Sequence, residues 1–160
     1  MPICNPTDLK MRLKPGARLL GLDVGTKTIG MALSDTRLSI ATPLDTIRRG
    51  RFRDDTLRLK HEIEKHGVGG AVVGLPLALD GSEGPRVQGV RQFVKNLLAV
   101  VDLPIAFWDE RMSTAAVERG MIEADLSRAR RAEIVDRAAA AYILQGLLDR
   151  LHNTGADTAS

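Results

Sequence analysis

The chain has 160 residues, of which 44% are hydrophobic and 27% charged, as is typical of one soluble globular domain. Its single cysteine, Cys4, excludes an internal disulfide framework and a cysteine-based zinc cluster. Aromatic residues make up only 3%, which argues against RNA binding by base stacking. The net charge of +3, carried mostly by arginine, is compatible with a polyanionic partner.

The chain ends and the apolar runs bear on targeting and on domain boundaries. No apolar run is long enough to span a membrane, and the first residues lack the apolar stretch of a signal peptide. We therefore expect a cytoplasmic protein without a membrane partner. Prolines and a glycine interrupt residues 1–16, which we expect to be a flexible leader. Residues 17–151 are then predicted to form the functional domain, and residues 152–160 a disordered tail.

Hydrophobic periodicity and turn residues predict three short strands first, and then alternating helices and strands. In chain order the predicted elements are strands at 17–24, 28–35 and 38–47, a helix at 51–67, a strand at 68–74, a helix at 86–101, a strand at 103–110, a short helix at 113–124 and a long helix at 132–151. Pro43 indicates that the third strand lies at a sheet edge or ends there. This order predicts an α/β fold of the ribonuclease H-like type, with a mixed five-stranded sheet and helices on both faces.

The segment "GLDVGTKTIGMALSD" places Asp23 at the end of an apolar strand, directly before a tight turn at residues 25–27. A carboxylate at a strand end is costly to bury without a partner, and α/β proteins often place a site at this edge. Such a turn can wrap a nucleotide phosphate or hold a divalent metal against a nucleic-acid backbone. The simpler alternative is that Asp23 only forms the turn by bonding its own backbone.

Two further acids, Asp109 and Glu110, follow the last predicted strand in "FWDERMST". Neighbouring side chains of an extended chain point to opposite sides, so only one of the two can face a shared site. The alternative is a pair of solvated acids before a helix N-terminus, where the helix dipole favours negative charge.

Asp136 lies in the predicted final helix, in line with an apolar stripe that should pack on the sheet. That stripe consists of Ala139, Ala140, Ile143 and Leu147. A charge in this line needs compensation by a cation or a metal. An ion pair with Arg137 or Arg111 is the alternative.

Asp23, Glu110 and Asp136 come from two strand ends and one helix that could converge at one edge of the sheet. Three carboxylates held together form a set of hard oxygen ligands, which suits Mg²⁺ or Mn²⁺. Two such ions about 4 Å apart can activate water and stabilise the leaving 3′-oxygen of a phosphodiester.

Four segments resemble, in order, the four motifs of the YqgF (RuvX) family: "LDVGTKTIGMALSD", "VVGLPLALDGSEGP", "FWDERMST" and "IVDRAAAAYIL". The resemblance runs from about Arg18 to Leu151. Members of this family are proposed ribonucleases related to Holliday-junction resolvases of the RuvC type. The resemblance implies a ribonuclease H-like fold, a nuclease role in maturing the 5′ end of the 16S ribosomal RNA precursor, and an acidic site at Asp23, Glu110 and Asp136.

Basic residues near these motifs are candidate substrate contacts. Lys27 follows Asp23 closely and could meet the scissile phosphate as a point charge. Arg111 either orients an acid or contacts phosphate. Two arginine clusters could track a nucleic-acid backbone, although each is also compatible with ordinary solvated surface. They are Arg48, Arg49, Arg51 and Arg53, and Arg128, Arg130 and Arg131.

Three rival functions share parts of this pattern. Asp-x-Gly-Thr also begins the phosphate loop of sugar kinases and actin-like ATPases, but those enzymes use two such loops in two domains, and this chain has one copy. A resolvase of four-way DNA junctions would use the same carboxylates but needs a dimer with two sites at a fixed spacing. A non-catalytic nucleic-acid-binding module gains nothing from three acids that repel phosphate.

The residues therefore predict a metal-dependent endonuclease that acts on structured RNA, as a monomer or a weak homodimer, and the resemblance implies the 16S ribosomal RNA precursor as its substrate. Branched DNA is the alternative partner.

Overall fold

The protein is described from a computed structural model, which gives the backbone of residues 3–112 and 128–159 and the side chains of residues 3–112 and 137–152. It has a mixed sheet of six strands in the order β1-β6-β5-β2-β3-β4. The strands are β1 (Ile3–Cys4), β2 (Arg18–Val24), β3 (Thr28–Ser34), β4 (Ala41–Arg48), β5 (Val68–Leu75) and β6 (Ile105–Asp109).

Four α-helices belong to the described residues, together with a short 3₁₀ turn at Glu110–Met112 that follows β6 directly. The helices are α1 (Pro6–Arg12), α2 (Phe52–His66), α3 (Pro85–Leu98) and α4 (Arg128–Ala159). None of the helices in this part of the chain is long and apolar enough to cross a membrane. The short helix expected at 113–124 falls outside the described residues.

Two apolar clusters cover the two faces of the sheet, as the prediction of helices on both faces required. One cluster joins Leu20, Leu22 and Val24 of β2 to α2 and α3, and the other joins Leu19 of the same strand to α1 and α4. This alternation along β2 follows from the two-residue period of a strand. It means that Asp23 belongs to the face covered by α4.

The third predicted strand does lie at a sheet edge. Pro43 in β4 pairs opposite Ala32, and the pairing register of the two strands shifts between Met31 and Ala32. A proline cannot donate to a ladder of hydrogen bonds, so it is tolerated where one side of the strand has no partner.

The N-terminal segment contains two elements that the sequence did not predict. Asn5 caps α1 through a hydrogen bond of 2.8 Å from the backbone N–H of Asp8, and Pro6 occupies the first turn. Proline is well suited to this position because the first N–H groups of a helix lack partners in any case. Leu9 is fully buried in the cluster shared with α4. The sequence pattern predicts Pro6 as a helix breaker, but in the structure this residue begins a helix. Strand β1 has only two residues, which is too short to give a periodic hydrophobic pattern. The expected division into a leader, a domain and a tail stays a prediction.

The direction of α4 relative to β2 positions the candidate site. Gln145 accepts a hydrogen bond from the backbone N–H of Ala41 at 2.8 Å, and His152 contacts the carbonyl of Leu38 at 2.8 Å. Leu38 belongs to the β3–β4 connection and Ala41 begins β4. Both lie toward the amino end of β2, because Leu20 pairs with Leu33 and the next residue, Ser34, pairs with Ala41. α4 therefore runs antiparallel to β2, and its earlier residues approach the carboxyl end of that strand.

Candidate active site at the carboxyl edge of the sheet

Asp23 lies one residue before the end of β2 and is only 6% exposed. Its partner on β3 is Gly30. On the other side, β2 and β5 pair in parallel through Leu22 and Val73, and the same register continued by one residue brings Asp23 beside Gly74. Cross-strand neighbours share a face of the sheet. The residues beside Asp23 on both adjacent strands are therefore glycines, and the space over Gly74 is taken by the side chains of Glu110 and Ile143.

Glu110 enters the same space from the end of β6. Its Oε1 atom lies 2.9 Å from the position that a Cβ atom on residue 74 would occupy, and Ile143 of α4 borders that position from above. Gly74 therefore separates the strand end that carries Asp23 from the side chain of Glu110. A side chain at residue 74 would have to displace Glu110, which explains physically why the segment needs glycine here.

The neighbouring acid, Asp109, is engaged elsewhere. Its carboxylate accepts hydrogen bonds from the Arg111 side chain, the shortest at 2.6 Å, and from the Arg111 backbone N–H at 2.9 Å. Arg111 also donates to the carbonyl of Leu79 at 3.1 Å. These bonds lower the pKa of Asp109, chiefly through the side-chain hydrogen bond from Arg111. Asp109 thus fixes the 3₁₀ turn, whereas Glu110 lies against Gly74.

Asp136 precedes Ala140 by one turn of α4. The carbonyl oxygen of Ala140 lies 2.8 Å from the position of a Cβ atom on Gly21, two residues before Asp23 on the same face of β2. Four helical residues advance by about 6 Å and two strand residues by about 7 Å. The backbone of residue 136 therefore approaches the level of Asp23. The Asp136 side chain lies outside the described residues, so its part in the site stays a prediction.

Within residues 3–112 and 137–152, no group of three acidic, histidine or cysteine side chains is placed to hold a metal ion. The described part of the site supplies two of the three predicted carboxylates, those of Asp23 and Glu110. Both also have electrostatic or hydrogen-bonding interactions of their own, so neither carboxylate is free.

The predicted substrate contacts are placed differently from one another. Lys27 is exposed at the tip of the β2–β3 turn, and its carbonyl accepts the backbone N–H of Arg49 at 2.8 Å. Arg111 is bound to Asp109, which is the acid-orienting alternative left open by the sequence; its contact with phosphate stays a prediction. Three more predicted contacts begin α4, and their side chains lie outside the described residues: Arg128, Arg130 and Arg131.

Sequence reasoning did not identify the glycine that faces Asp23 on β3, and it placed Gly74 only at the end of the strand predicted at 68–74. Strand pairing brings Gly30 and Gly74 beside Asp23, and a single sequence does not reveal which strands pair. Their only local signal is a glycine inside an otherwise apolar strand, which often marks a close approach of another group.

The family described as "RuvX: Holliday junction resolvase" matches residues 17–150. This chain belongs to that family. A relative from Paramagnetospirillum magneticum is 60% identical over 149 residues, which cover 93% of this chain and 96% of the relative. A relative from Methylocella silvestris is 56% identical over 155 residues, which cover 97% of this chain and 96% of the relative. Both carry the name "Putative pre-16S rRNA nuclease".

A solved structure supports the fold assignment of this RuvX-family chain. RuvC from Thermus thermophilus, in complex with a Holliday junction substrate, superposes with a TM-score of 0.54 at 13% sequence identity. The match covers 84% of this chain and 96% of that protein. At this identity the likeness shows the fold alone. The predicted ribonuclease H-like α/β fold is confirmed, with six strands in place of the predicted five.

Proposed function

We propose that this RuvX-family protein is a metal-dependent endonuclease that processes the 5′ end of the 16S ribosomal RNA precursor. One structural observation carries the proposal. Glu110 lies against Gly74, and the register of β2 and β5 continued by one residue brings Asp23, from a distant segment, beside the same glycine at the carboxyl edge of the sheet. The names of the relatives supply the substrate class.

The residues present fit a hard divalent cation. Carboxylate oxygens are the ligands that Mg²⁺ and Mn²⁺ favour, and Asp23 and Glu110 supply such oxygens from neighbouring strand ends. Asp23, Glu110 and Asp136 would hold Mg²⁺ or Mn²⁺. When bound, this cation would supply an activated water molecule and neutralise charge on the leaving 3′-oxygen.

The protein's own residues would shape this site and admit the substrate. The Asp109–Arg111 pair holds the 3₁₀ turn, and so fixes the backbone from which Glu110 projects. Lys27 is exposed on the neighbouring turn, where its ammonium group would meet a backbone phosphate. Arg111, Arg128, Arg130 and Arg131 would extend this contact along the RNA.

The experiment that tests the function compares substrates. Purified protein is incubated with Mg²⁺, with Mn²⁺ or with EDTA, on a 5′-extended fragment of precursor 16S ribosomal RNA and on a four-way DNA junction. We expect cleavage of the RNA at a defined position with either metal and none with EDTA. Cleavage of the junction alone would favour the resolvase function over the proposed one. Cleavage in EDTA would show that the reaction does not need a divalent metal ion.

The oligomeric state separates these two functions further. We propose a monomer or weak homodimer that acts on RNA in the cytoplasm, because RNA processing needs one site for each cut. Resolution of a symmetric junction needs two sites at a fixed spacing. Sedimentation at the protein concentration of the cleavage assay should therefore show mostly monomer, and a tight dimer would favour the resolvase.

A further inference from the structure

A cavity of about 300 Å³ opens at the same carboxyl edge, but on the opposite face of the sheet from Asp23. It lies between the β2–β3 turn, at Gly25 and Thr26, and the first turns of α3. Val24, the residue after Asp23, also borders it. A volume at the low end of the range for small-ligand sites suits a single group the size of one nucleotide or smaller.

Arg49 forms one wall of this cavity, and its position is fixed on three sides. Its side chain donates to the carbonyl of Gly25 at 2.7 Å, and its backbone N–H donates to the carbonyl of Lys27 at 2.8 Å. The guanidinium carbon lies 5.1 Å from the centre of the buried Phe93 ring. A guanidinium group has five N–H donors, so one bond to Gly25 leaves others available. The cation is thus pre-organised, which reduces the entropy lost when it binds an anion.

Arg86 supplies a second cation from the first turn of α3. Within residues 3–112 and 137–152, no carboxylate forms an ion pair with its guanidinium group, and the first turn of α3 contains no acid. Among the residues that the structure describes, none that lines the cavity is acidic. Many surface arginines likewise have no ion-pair partner, but here two arginines border one concave space.

Gly89 completes the wall on the next turn of α3. A Cβ atom built there meets nothing within 4 Å, so the residue is not required by packing within the described structure. Glycine in a helix interior is destabilising by about 1 kcal/mol relative to alanine. Any side chain longer than alanine at this position would reduce the space between Arg49 and Arg86.

We propose that this cavity binds a phosphodiester group of the RNA backbone beside the cleavage position, with Arg49 and Arg86 as its hydrogen-bond donors. This inference rests on the proposed nuclease function. The RNA would cross the carboxyl edge of the sheet, with the scissile phosphate at Asp23 on one face and a flanking phosphate in the cavity on the other. Guanidinium groups match phosphate oxygens in bidentate geometry, and an aligned pair of them fixes the register of the strand.

The test measures RNA binding separately from cleavage. A fluorescent single-stranded RNA that spans the precursor cleavage region is titrated in EDTA at several salt concentrations. The proteins are the wild type, Gly89→Glu, Gly89→Ala, Arg86→Ala and Arg37→Ala. Gly89→Ala is the matched control for backbone effects. Arg37→Ala removes another exposed arginine, from the β3–β4 connection at the amino end of β2.

We expect Gly89→Glu and Arg86→Ala to weaken binding by about tenfold, as for one lost charge-assisted contact. The slope of log K against log salt should become shallower by about 0.7 in Arg86→Ala. Gly89→Ala should bind like the wild type and melt at a higher temperature. Equal binding by Gly89→Glu and Gly89→Ala would overturn the proposal, as would an equal loss in Arg37→Ala and Arg86→Ala, since that result would indicate unspecific charge.

Two further measurements identify the source of the phosphate and separate this proposal from the proposed function. If inorganic phosphate displaced the RNA and raised the melting temperature at micromolar concentration, the ligand would be a free phosphate and the phosphodiester assignment would be wrong. If the wild type and Gly89→Glu cleaved RNA equally well, phosphate binding in the cavity would be contradicted, while the proposed nuclease function would stand. A wild type that binds RNA through this cavity but never cleaves it would contradict the nuclease alone.

Discussion

The Glu110 side chain occupies the space that a side chain on Gly74 would need, with Oε1 2.9 Å from the position of the missing Cβ atom. Because the register of β2 and β5 continued by one residue places Gly74 beside Asp23, this glycine lies between two acids that are far apart in the chain. The candidate site therefore depends on a residue that has no functional group.

Gly74→Ala tests this relationship. The new methyl group would collide with Glu110 and with Ile143, so we expect a loss of about 1–3 kcal/mol in the free energy of unfolding and a larger loss of cleavage. Urea denaturation and cleavage assays measure the two effects. Gly50→Ala is the control, since a Cβ atom there meets nothing within 4 Å. If both variants cleaved at the wild-type rate, the position of Glu110 would not matter.

Glu110→Gln and Asp109→Asn should separate catalysis from stability. Glu110 borders the space beside Asp23, whereas Asp109 is bound to Arg111. We expect Glu110→Gln to abolish cleavage with little change in melting temperature, and Asp109→Asn to lower the melting temperature while it keeps most activity. Equal loss of activity in two folded variants would leave the assignment of Glu110 without support.

The Asp109–Arg111 pair also predicts a dependence of stability on pH. The folded-state pKa of Asp109 is lowered by the hydrogen bond from Arg111, so the pair stabilises the protein above the unfolded pKa of about 3.9 and is lost as pH falls through the folded value. Asp109→Asn should therefore reduce the melting temperature at pH 7, and the difference from the wild type should shrink below about pH 4. A difference that stays constant down to pH 2.5 would show that the ion pair contributes nothing.

How far the sequence predicts this site differs from residue to residue. Asp23 and the apolar strand before it follow from hydrophobic pattern, and the edge position of β4 follows from Pro43. The glycines beside Asp23 do not follow from that pattern, because Gly30 and Gly74 become its neighbours only through the register of three strands. The helix α1 was missed because Pro6 breaks a helix interior but begins a helix equally well, and only the packing of Leu9 decides between the two.

Leu9→Ala tests whether the N-terminal segment belongs to the folded core. Leu9 is fully buried between β5, β6 and α4, so its truncation should cost about 2–5 kcal/mol of the free energy of unfolding. Met11→Ala, at an exposed neighbour in the same helix, is the control and should cost far less. Urea denaturation measures both. A loss in Leu9→Ala no larger than in Met11→Ala would support the flexible leader that the sequence predicted.

Asp136→Asn tests the third carboxylate. A bound ion should stabilise the wild type by RT ln(1 + [L]/Kd), about 2.7 kcal/mol at a hundredfold excess over Kd. Asparagine keeps the shape of the side chain but removes the charged ligand, so the stabilisation by the metal ion should be lost. Without metal, the variant should melt no lower than the wild type, because the repulsion among the acids is relieved. Thermal melts with EDTA and with millimolar Mn²⁺ decide this. An equal response of both proteins to Mn²⁺ would make Asp136 a structural acid.

The rate of RNA cleavage by Asp23→Asn, measured in a single turnover with Mn²⁺, tests the central claim most directly. Asparagine preserves the size of the side chain between Gly30 and Gly74, so the fold should remain intact while the carboxylate is lost. We expect the cleavage rate on the precursor 16S fragment to fall at least about a hundredfold relative to the wild type. An unchanged rate in a folded Asp23→Asn protein would contradict the assignment of this edge of the sheet as the active site.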